Sequence, residues 1–142
     1  PPSLDFRLEK ETHTAVLECI RAGLIQAAHD CSKGGIGVAL AEMTLVSDLG
    51  ATVDLRKLPR DEMRDDELLF SESNSRFVLA TDSPEQVLRA LSRHDIPVAV
   101  IGSTGGRSLH LVLPNNELQS SLLEMRAAYT DSLQRILEPW LK

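Results

Sequence analysis

The chain has 142 residues, of which 42% are apolar and 25% are charged, so it is long enough for one globular domain with a hydrophobic core. Its formal net charge of −6 argues against a nucleic-acid-binding surface, because phosphate binding needs clustered Lys and Arg. No run approaches the roughly eighteen apolar residues of a membrane helix, and the N-terminus lacks the basic and apolar regions of a signal peptide.

The first third of the chain predicts a helix, a strand and a second helix around a glycine loop. Apolar residues recur at three- and four-residue steps over 8–24, and Gly23 is a suitable end for this amphipathic helix. The short apolar run 25–29 predicts a buried strand. Residues 31–35 then predict a loop, and the helical pattern returns at 36–46.

The middle of the chain alternates strands and helices. Residues 51–55 predict a strand, and the charged stretch 56–69 predicts a loop followed by a short helix. Residues 76–80 are a strong strand candidate. A helix follows over 84–94, with Ser83 as its cap and a proline in the first turn, where the missing N–H costs nothing.

The last third predicts two strands and a long helix. The strands at 97–101 and 108–113 flank a glycine-rich segment at 102–106, which predicts a hairpin. Apolar residues spaced along 117–137 predict a long helix. This order indicates an α/β or α+β fold, with a mixed sheet covered by helices.

We expect a single domain over 1–142, made of a linker at 1–8, a core at 9–113 and a C-terminal helical extension at 114–142. The chain has no initial Met and opens on a Pro-rich stretch. Both features fit the beginning of a domain cut from a longer chain.

The segment from His29 to Gly35 is the first candidate site, because it connects a strand to a helix and contains adjacent glycines. Glycines let a backbone approach a ligand closely, and the free N–H groups of the next helix favour an anion. The carboxylate of Asp30 is a candidate Mg²⁺ ligand, because a hard cation prefers carboxylate oxygens. The alternative, which physical grounds alone favour, is a tight turn at Gly34 and Gly35 with Asp30 or Ser32 as the helix cap.

The segment 69–77 is the second candidate site. Three hydroxyls, a carboxylate, an amide and a guanidinium precede the strand there. Such a set suits a polyhydroxylated, phosphorylated ligand. A Ser/Asn-rich turn whose side chains bond their own backbone explains the pattern equally well.

Other chemistry-bearing residues give weaker signals. Cys19 and Cys31 fit neither a disulfide framework nor a metal motif, so a reducing cytoplasm is the simple expectation. Cys31 near His29 has no third residue to orient the pair, and no catalytic residue is assigned. The glycines at 102–106 lack the Lys-Ser/Thr ending of a P-loop and are better explained as a turn.

Several short motifs, taken in order, form a specific combination over roughly residues 1–113. They are Pro1-Pro2-Ser3-Leu4-Asp5, Glu9-Lys10, Ala28 to Gly35, Ala39-Leu40-Ala41-Glu42-Met43, Gly50-Ala51, Leu69 to Val78 and Pro97 to Gly102. The combination resembles the C-terminal domain of a superfamily that includes aminoimidazole ribonucleotide synthetase, selenophosphate synthetase, thiamine-monophosphate kinase and hydrogenase maturation factor E. Within it, the chain is most similar to the formylglycinamide ribonucleotide amidotransferases, also called phosphoribosylformylglycinamidine synthases. Lys33 departs from the Asp or Glu that is frequent at that position.

The resemblance implies that the whole enzyme is an ATP-dependent amidoligase of de novo purine biosynthesis. ATP and Mg²⁺ would activate the amide of formylglycinamide ribonucleotide, and glutamine-derived ammonia would turn that amide into an amidine. The implied partners are the N-terminal modules of the same enzyme, a glutaminase subunit or domain and, in some arrangements, a small adaptor subunit, with no nucleic acid and no membrane. The isolated domain is expected to be inactive, with no certain cofactor of its own.

The resemblance also implies a binding cleft shared with a neighbouring domain. Its substrate- or nucleotide-binding residues would be Ser32, Gly34, Gly35, Glu72, Ser73, Asn74 and Arg76, and Asp30 would bind the metal. The chain resembles the module from the second of two pseudo-symmetric halves, whose cleft holds a structural nucleotide or carries no chemistry. Two alternatives remain: a fragment of another superfamily member, such as hydrogenase maturation factor E or selenophosphate synthetase, or a non-catalytic scaffold domain.

Overall fold

The computed structural model describes residues 4–59 and 63–137. In chain order its elements are α1 (Phe6–Arg21), β1 (Ala27–Asp30), α2 (Gly35–Ser47), β2 (Ala51–Asp54), a 3-10 turn (Leu55–Lys57), α3 (Asp65–Phe70), β3 (Phe77–Ala80), α4 (Pro84–Leu91), β4 (Gly102–Thr104), β5 (Ser108–Val112), β6 (Glu117–Ser121) and α5 (Leu122–Leu137). The predicted mixed sheet with helices is confirmed. The ends of the predicted linker and of the C-terminal extension lie outside the described residues.

The main sheet has four strands in the order β4-β2-β5-β6. β2 and β5 run parallel, while the two outer pairs are antiparallel. A separate antiparallel pair joins β1 to β3, with Asp30 opposite Phe77. This pair positions both candidate sites, because the first follows β1 and the second precedes β3.

Two clusters of buried apolar residues hold these layers together. The larger one packs α2 and α3 against the four-stranded sheet and contains Cys31, Ile36, Ala39, Leu40, Ala51, Val53, Leu55, Leu68, Leu69, Leu109, Leu111 and Leu113. The smaller one joins α1 to α4 through Ala15, Cys19, Val87 and Leu91. Full burial of a leucine such as Leu55 contributes about 1.5–3 kcal/mol. Since Cys31 and Ile36 belong to the larger cluster, the core anchors the chain on both sides of residues 32–35.

α1 begins two residues before the predicted start because Asp5 caps it. The Asp5 carboxylate accepts hydrogen bonds from the backbone N–H groups of Arg7 and Leu8, at 2.9 Å and 3.1 Å. The helix ends at Arg21, and Gly23 follows in a left-handed conformation with φ +69°. Among the described residues, no helix is both long enough and apolar enough to cross a membrane.

The predicted hairpin of 97–101 and 108–113 is wrong. Residues 97–101 contain no strand, and β4 occupies the segment predicted as the turn. β4 and β5 lie on opposite sides of β2 and do not pair with each other. Gly102 permits this arrangement, because a Cβ there would lie 2.1 Å from the carbonyl oxygen of Thr52.

The predicted helix at 117–137 begins five residues later than expected. Residues 117–121 form β6, which pairs with β5 and places Leu118 opposite Leu111. The helix starts at Leu122 behind a capping box: the Ser121 N–H donates to the Glu124 carboxylate, and the Glu124 N–H donates to the Ser121 hydroxyl. Strand pairing therefore overrides the helical periodicity before Ser121.

Candidate functional site

The two candidate segments meet in the folded chain. The backbone N–H of Gly34 donates a 2.9 Å hydrogen bond to the carboxylate of Glu72. Gly34 and Gly35 are both left-handed, with φ +75° and +65°. A Cβ at Gly35 would lie 2.6 Å from the carbonyl oxygens of Leu69 and Ser71. This position therefore needs glycine both for its conformation and for the close approach of the second segment.

The pairing of β1 with β3 also brings the two candidate segments together. The N–H of Cys31 donates to the carbonyl of Arg76 at 2.9 Å, which extends the pairing of β1 with β3 by one residue. We call residues 31–35 the glycine loop and residues 71–76 the serine loop.

The expectation that the first strand is buried is wrong, since Ala27 and Ala28 of β1 are exposed.

The exposed Asp30 carboxylate lies where β1 enters the glycine loop. A hydrogen bond from the Ser32 side chain lowers the pKa of Asp30 below its usual value. The charged carboxylate required of a metal ligand is therefore favoured. Ser32 and Lys33 are also exposed, so the end of β1 and the glycine loop together present one anionic and one cationic side chain to solvent.

His29 on β1 contacts Glu42 on α2. Its Nδ1 lies 2.7 Å from the carbonyl oxygen of Asp30, and its Nε2 lies 2.9 Å from the Glu42 carboxylate. The pKa of His29 is raised, first by the Asp30 carbonyl and then by the Glu42 carboxylate, against the opposing effect of burial. Both ring nitrogens are thus occupied by protein contacts.

The serine loop is shaped by Arg76. Its guanidinium donates to the carbonyl of Ser71, to the Ser71 hydroxyl at 3.2 Å and to the Ser73 carbonyl at 3.4 Å. These contacts direct Arg76 into its own loop. Glu72 and Asn74 are exposed, and Ser73 is partly exposed, so these three side chains form the accessible part of the serine loop.

Glu9, which the sequence did not assign to the site, belongs to the same network through Ser75 of the second candidate segment. Ser75 has a left-handed backbone, with φ +62°, and its hydroxyl donates to the carboxylate of Glu9 on α1. The other Glu9 carboxylate oxygen lies 3.1 Å from the Nε2 of His13. Glu9 belongs to the Glu9-Lys10 motif, but no sequence signal connects it with a serine 66 positions away.

Cys31 is buried, and burial raises the pKa of its thiol. A reactive cysteine needs the opposite shift, toward the thiolate. The site therefore offers hydrogen-bond donors, acceptors and a carboxylate, without an activated thiol at Cys31.

Metal binding by this chain would depend on Asp30 together with a ligand. Across residues 4–59 and 63–137, no group of three or more His, Cys, Asp or Glu side chains is arranged to hold a metal ion. Magnesium in nucleotide sites is usually held by one or two carboxylates, phosphate oxygens and water. A single exposed carboxylate fits that kind of site.

Comparison with known proteins identifies the family. Residues 2–113 match the family described as AIR synthase related protein, C-terminal domain. The chain belongs to this family. The match includes both loops of the site and ends before β6, so β6 and α5 lie beyond the matched region.

The similar proteins and solved structures described next are all PurL proteins or assemblies that contain PurL. The chain is 42% identical over 136 residues to the phosphoribosylformylglycinamidine synthase subunit PurL of Moorella thermoacetica, covering 94% of this chain and 18% of the relative. Thermotoga maritima PurL complexed with FGAR superposes with a TM-score of 0.73 at 26% identity, covering 82% of this chain and 20% of that one. The PurLQS structure from Thermotoga maritima gives a TM-score of 0.71 at 27% identity, covering 80% and 21%.

Other structures of the same Thermotoga maritima protein are complexes with AMPPCP and with ATP. The chain spans less than a fifth of the length of the Moorella thermoacetica relative. The likeness therefore concerns one module of a much longer protein.

Proposed function

We propose that this chain is the C-terminal module of a phosphoribosylformylglycinamidine synthase and acts in de novo purine biosynthesis. The hydrogen bond from Gly34 to Glu72 is the observation that carries the proposal, because it joins the two segments on which the resemblance depends. The identity of 42% to a PurL subunit supports this choice over hydrogenase maturation or selenophosphate synthesis.

The reaction is the ATP-dependent conversion of an amide into an amidine. The amide oxygen of formylglycinamide ribonucleotide attacks the γ-phosphorus of ATP, and ADP leaves. Ammonia then attacks the activated carbon, and phosphate departs with the former amide oxygen. A site for these steps must hold phosphate and ribose groups and exclude water, which demands ordered N–H donors and hydroxyls rather than a nucleophile.

The residues of both loops have distinct parts in this proposal, which gives the cleft of this module a ligand-binding role rather than the silent role that the resemblance to the second half allows. The hydroxyls and amide of Ser32, Ser73 and Asn74 bind the ribonucleotide or nucleotide. Gly34 and Gly35 bring the backbone close to it, and Glu72 orders the glycine loop through the Gly34 N–H. Arg76 acts through the shape of the serine loop, consistent with its contacts to Ser71 and Ser73.

Asp30 would hold Mg²⁺ in the proposed site. When bound, the ion would supply charge neutralisation for the phosphates of a nucleotide. The exposure of Asp30 and its lowered pKa support this role. The AMPPCP and ATP complexes of Thermotoga maritima PurL support a nucleotide requirement for the whole enzyme.

The remaining modules of the enzyme complete the cleft, so the isolated 142-residue chain is inactive by this account. Ammonia comes from glutamine through a glutaminase subunit or domain, and a small adaptor subunit is a further partner; the PurLQS assembly of Thermotoga maritima supports a multi-subunit arrangement. We place the enzyme in the cytoplasm, where the free, buried cysteines Cys19 and Cys31 would stay reduced.

The test is an assay of the full-length gene product with formylglycinamide ribonucleotide, MgATP and ammonium. The proposal expects ADP and amidine to form in equal amounts, and only when the ribonucleotide is present. The isolated chain serves as the matched control and should form neither product. Ribonucleotide-independent ATP hydrolysis by the full-length protein, or turnover by the isolated chain, would contradict the proposal.

A further inference from the structure

Glu9 connects α1 to the serine loop, although its sequence position gives it no place in the proposed site. The Ser75 hydroxyl donates to its carboxylate, and His13 lies 3.1 Å from the second carboxylate oxygen. The side chain of Glu9 is 30% exposed, so it is partly shielded from solvent. Glu9 thus makes two directed contacts from one helix turn.

Ser75 is the point at which the serine loop depends on this contact. Its φ of +62° is a left-handed conformation that L-residues other than glycine rarely adopt. The residue lies between Glu72, which accepts from Gly34, and Arg76, whose carbonyl accepts from Cys31. The direction of the backbone at Ser75 therefore determines whether both contacts to the glycine loop form together.

We propose that Glu9 is a positioning residue for ligand binding, which holds Ser75 left-handed and thereby fixes Glu72, Ser73 and Asn74 relative to the glycine loop. This inference rests on the proposed function for the identity of the ligand. Glu9 itself acts through Ser75 and does not touch the ribonucleotide.

Kinetics of the full-length enzyme test this role. Glu9→Ala should raise KM for formylglycinamide ribonucleotide about tenfold and change kcat less than about threefold, because the change disorders a binding loop. Ser75→Gly in the same background should restore KM to within about threefold, since glycine adopts the left-handed conformation without an anchor. A role of Glu9 limited to the stability of α1 predicts no rescue by Ser75→Gly, and that result would overturn the proposal.

Lys10→Ala is the matched control, because Lys10 is exposed and adjoins Glu9 on the same helix. It should leave KM and kcat unchanged. If Glu9→Ala does not fold, Ser75→Ala removes the same hydrogen bond from the other side and should produce the same rise in KM. An unchanged KM in Ser75→Ala would overturn the proposal.

Amide hydrogen exchange provides a readout that does not depend on the substrate. In the full-length protein, Glu9→Ala should accelerate exchange at Gly34 and across residues 71–76, whereas Lys10→Ala should not. Unchanged exchange in Glu9→Ala would overturn the positioning role. If the wild-type enzyme does not use formylglycinamide ribonucleotide, the proposed function and the ligand named here both fail, and exchange alone decides whether Glu9 positions the loop.

Discussion

The N–H of Gly34 donates to the carboxylate of Glu72 across 38 positions of sequence, and the next residue, Gly35, leaves no room for a side chain against Ser71. The two loops therefore meet through backbone groups as well as side chains. A contact of this kind fixes the loops relative to each other more firmly than exposed side chains alone could. The exposed carboxylate of Glu72 consequently has a defined position before any ligand binds.

Gly35→Ala should destabilise the chain by roughly 2–4 kcal/mol, because a Cβ would meet two carbonyl oxygens at 2.6 Å and φ is +65°. Gly23→Ala is the matched control: its φ is +69°, but nothing lies within 4 Å of a Cβ there, so about 1 kcal/mol is expected. Urea unfolding of the variants measures both effects. Equal losses would contradict the close approach of the serine loop to Gly35.

Glu72→Ala should affect ligand binding more than stability. The exposed Gly34 N–H can bond to water once the carboxylate is removed, so the free energy of unfolding should fall by less than about 1 kcal/mol. In the full-length enzyme, kcat/KM for the ribonucleotide should fall at least about tenfold. Glu85→Ala, an exposed change in the first turn of α4, is the control and should leave kcat/KM unchanged. An unaffected kcat/KM in Glu72→Ala would remove Glu72 from the site.

Asp30→Asn should weaken the apparent affinity of the full-length enzyme for magnesium. The amide cannot carry the negative charge that the Ser32 hydrogen bond favours on Asp30, so a magnesium ion loses a charged ligand. The magnesium concentration for half-maximal activity should rise several-fold, with little change in the melting temperature, because Asp30 is exposed. A magnesium titration that is identical in wild type and Asp30→Asn would contradict the assignment.

Stability should depend on pH through His94, whose two ring nitrogens lie 3.2 Å from the Glu11 carboxylate and 3.0 Å from the Glu18 carboxylate. Glu18 first, and then Glu11, raises the pKa of His94 above its ordinary value of about 6.5. A raised folded-state pKa adds stability that is fully present below about pH 6.5 and is lost as the pH rises through the folded pKa.

The difference in urea midpoint between wild type and His94→Gln should therefore be larger near pH 6 than near pH 9. The double variant Glu11→Gln/Glu18→Gln should remove most of that pH dependence, because the carboxylates that face His94 are then neutral. A difference that grows toward high pH would show that these contacts do not favour the protonated form of His94.

Elements that bury one regular apolar face could be predicted from the sequence, because that face is visible in the spacing of their own apolar residues. The helical pattern at 36–46 matches α2, which packs against the sheet, and residues 51–55 match β2 with its buried Val53. The predicted strand at 97–101 fails because its apolar run is not buried by strand pairing, and Val98 and Val100 stay exposed. The hydrophobicity of a segment does not determine whether it forms a strand or with which other strand it pairs.

The error at 117–137 had a detectable signal. Ser121 and Glu124 have the spacing of a capping box, which marks a helix start at Leu122 and leaves the preceding residues free to pair with β5. That pairing itself is a tertiary contact, and no local pattern in Glu117–Ser121 predicts it.

In the candidate site, too, local features could be predicted from the sequence and tertiary contacts could not. The composition of the two loops predicted which segments carry hydrogen-bonding groups, since glycines and clustered hydroxyls are local features. The meeting of Gly35 with Ser71 and the contact of Glu9 with Ser75 arise only when distant elements pack. The direction of Arg76 into its own loop also depends on backbone carbonyls that the sequence does not locate.

The most direct test of the account is transfer of labelled nitrogen by the full-length gene product. The enzyme would be incubated with MgATP, formylglycinamide ribonucleotide and isotopically labelled ammonium, and the ribonucleotide product would be analysed by mass spectrometry. We expect one labelled nitrogen in the amidine for each ADP formed. Nitrogen transfer by Glu72→Ala should be at least about tenfold slower at limiting ribonucleotide. Absence of label in any ribonucleotide product, with ATP still hydrolysed, would contradict it.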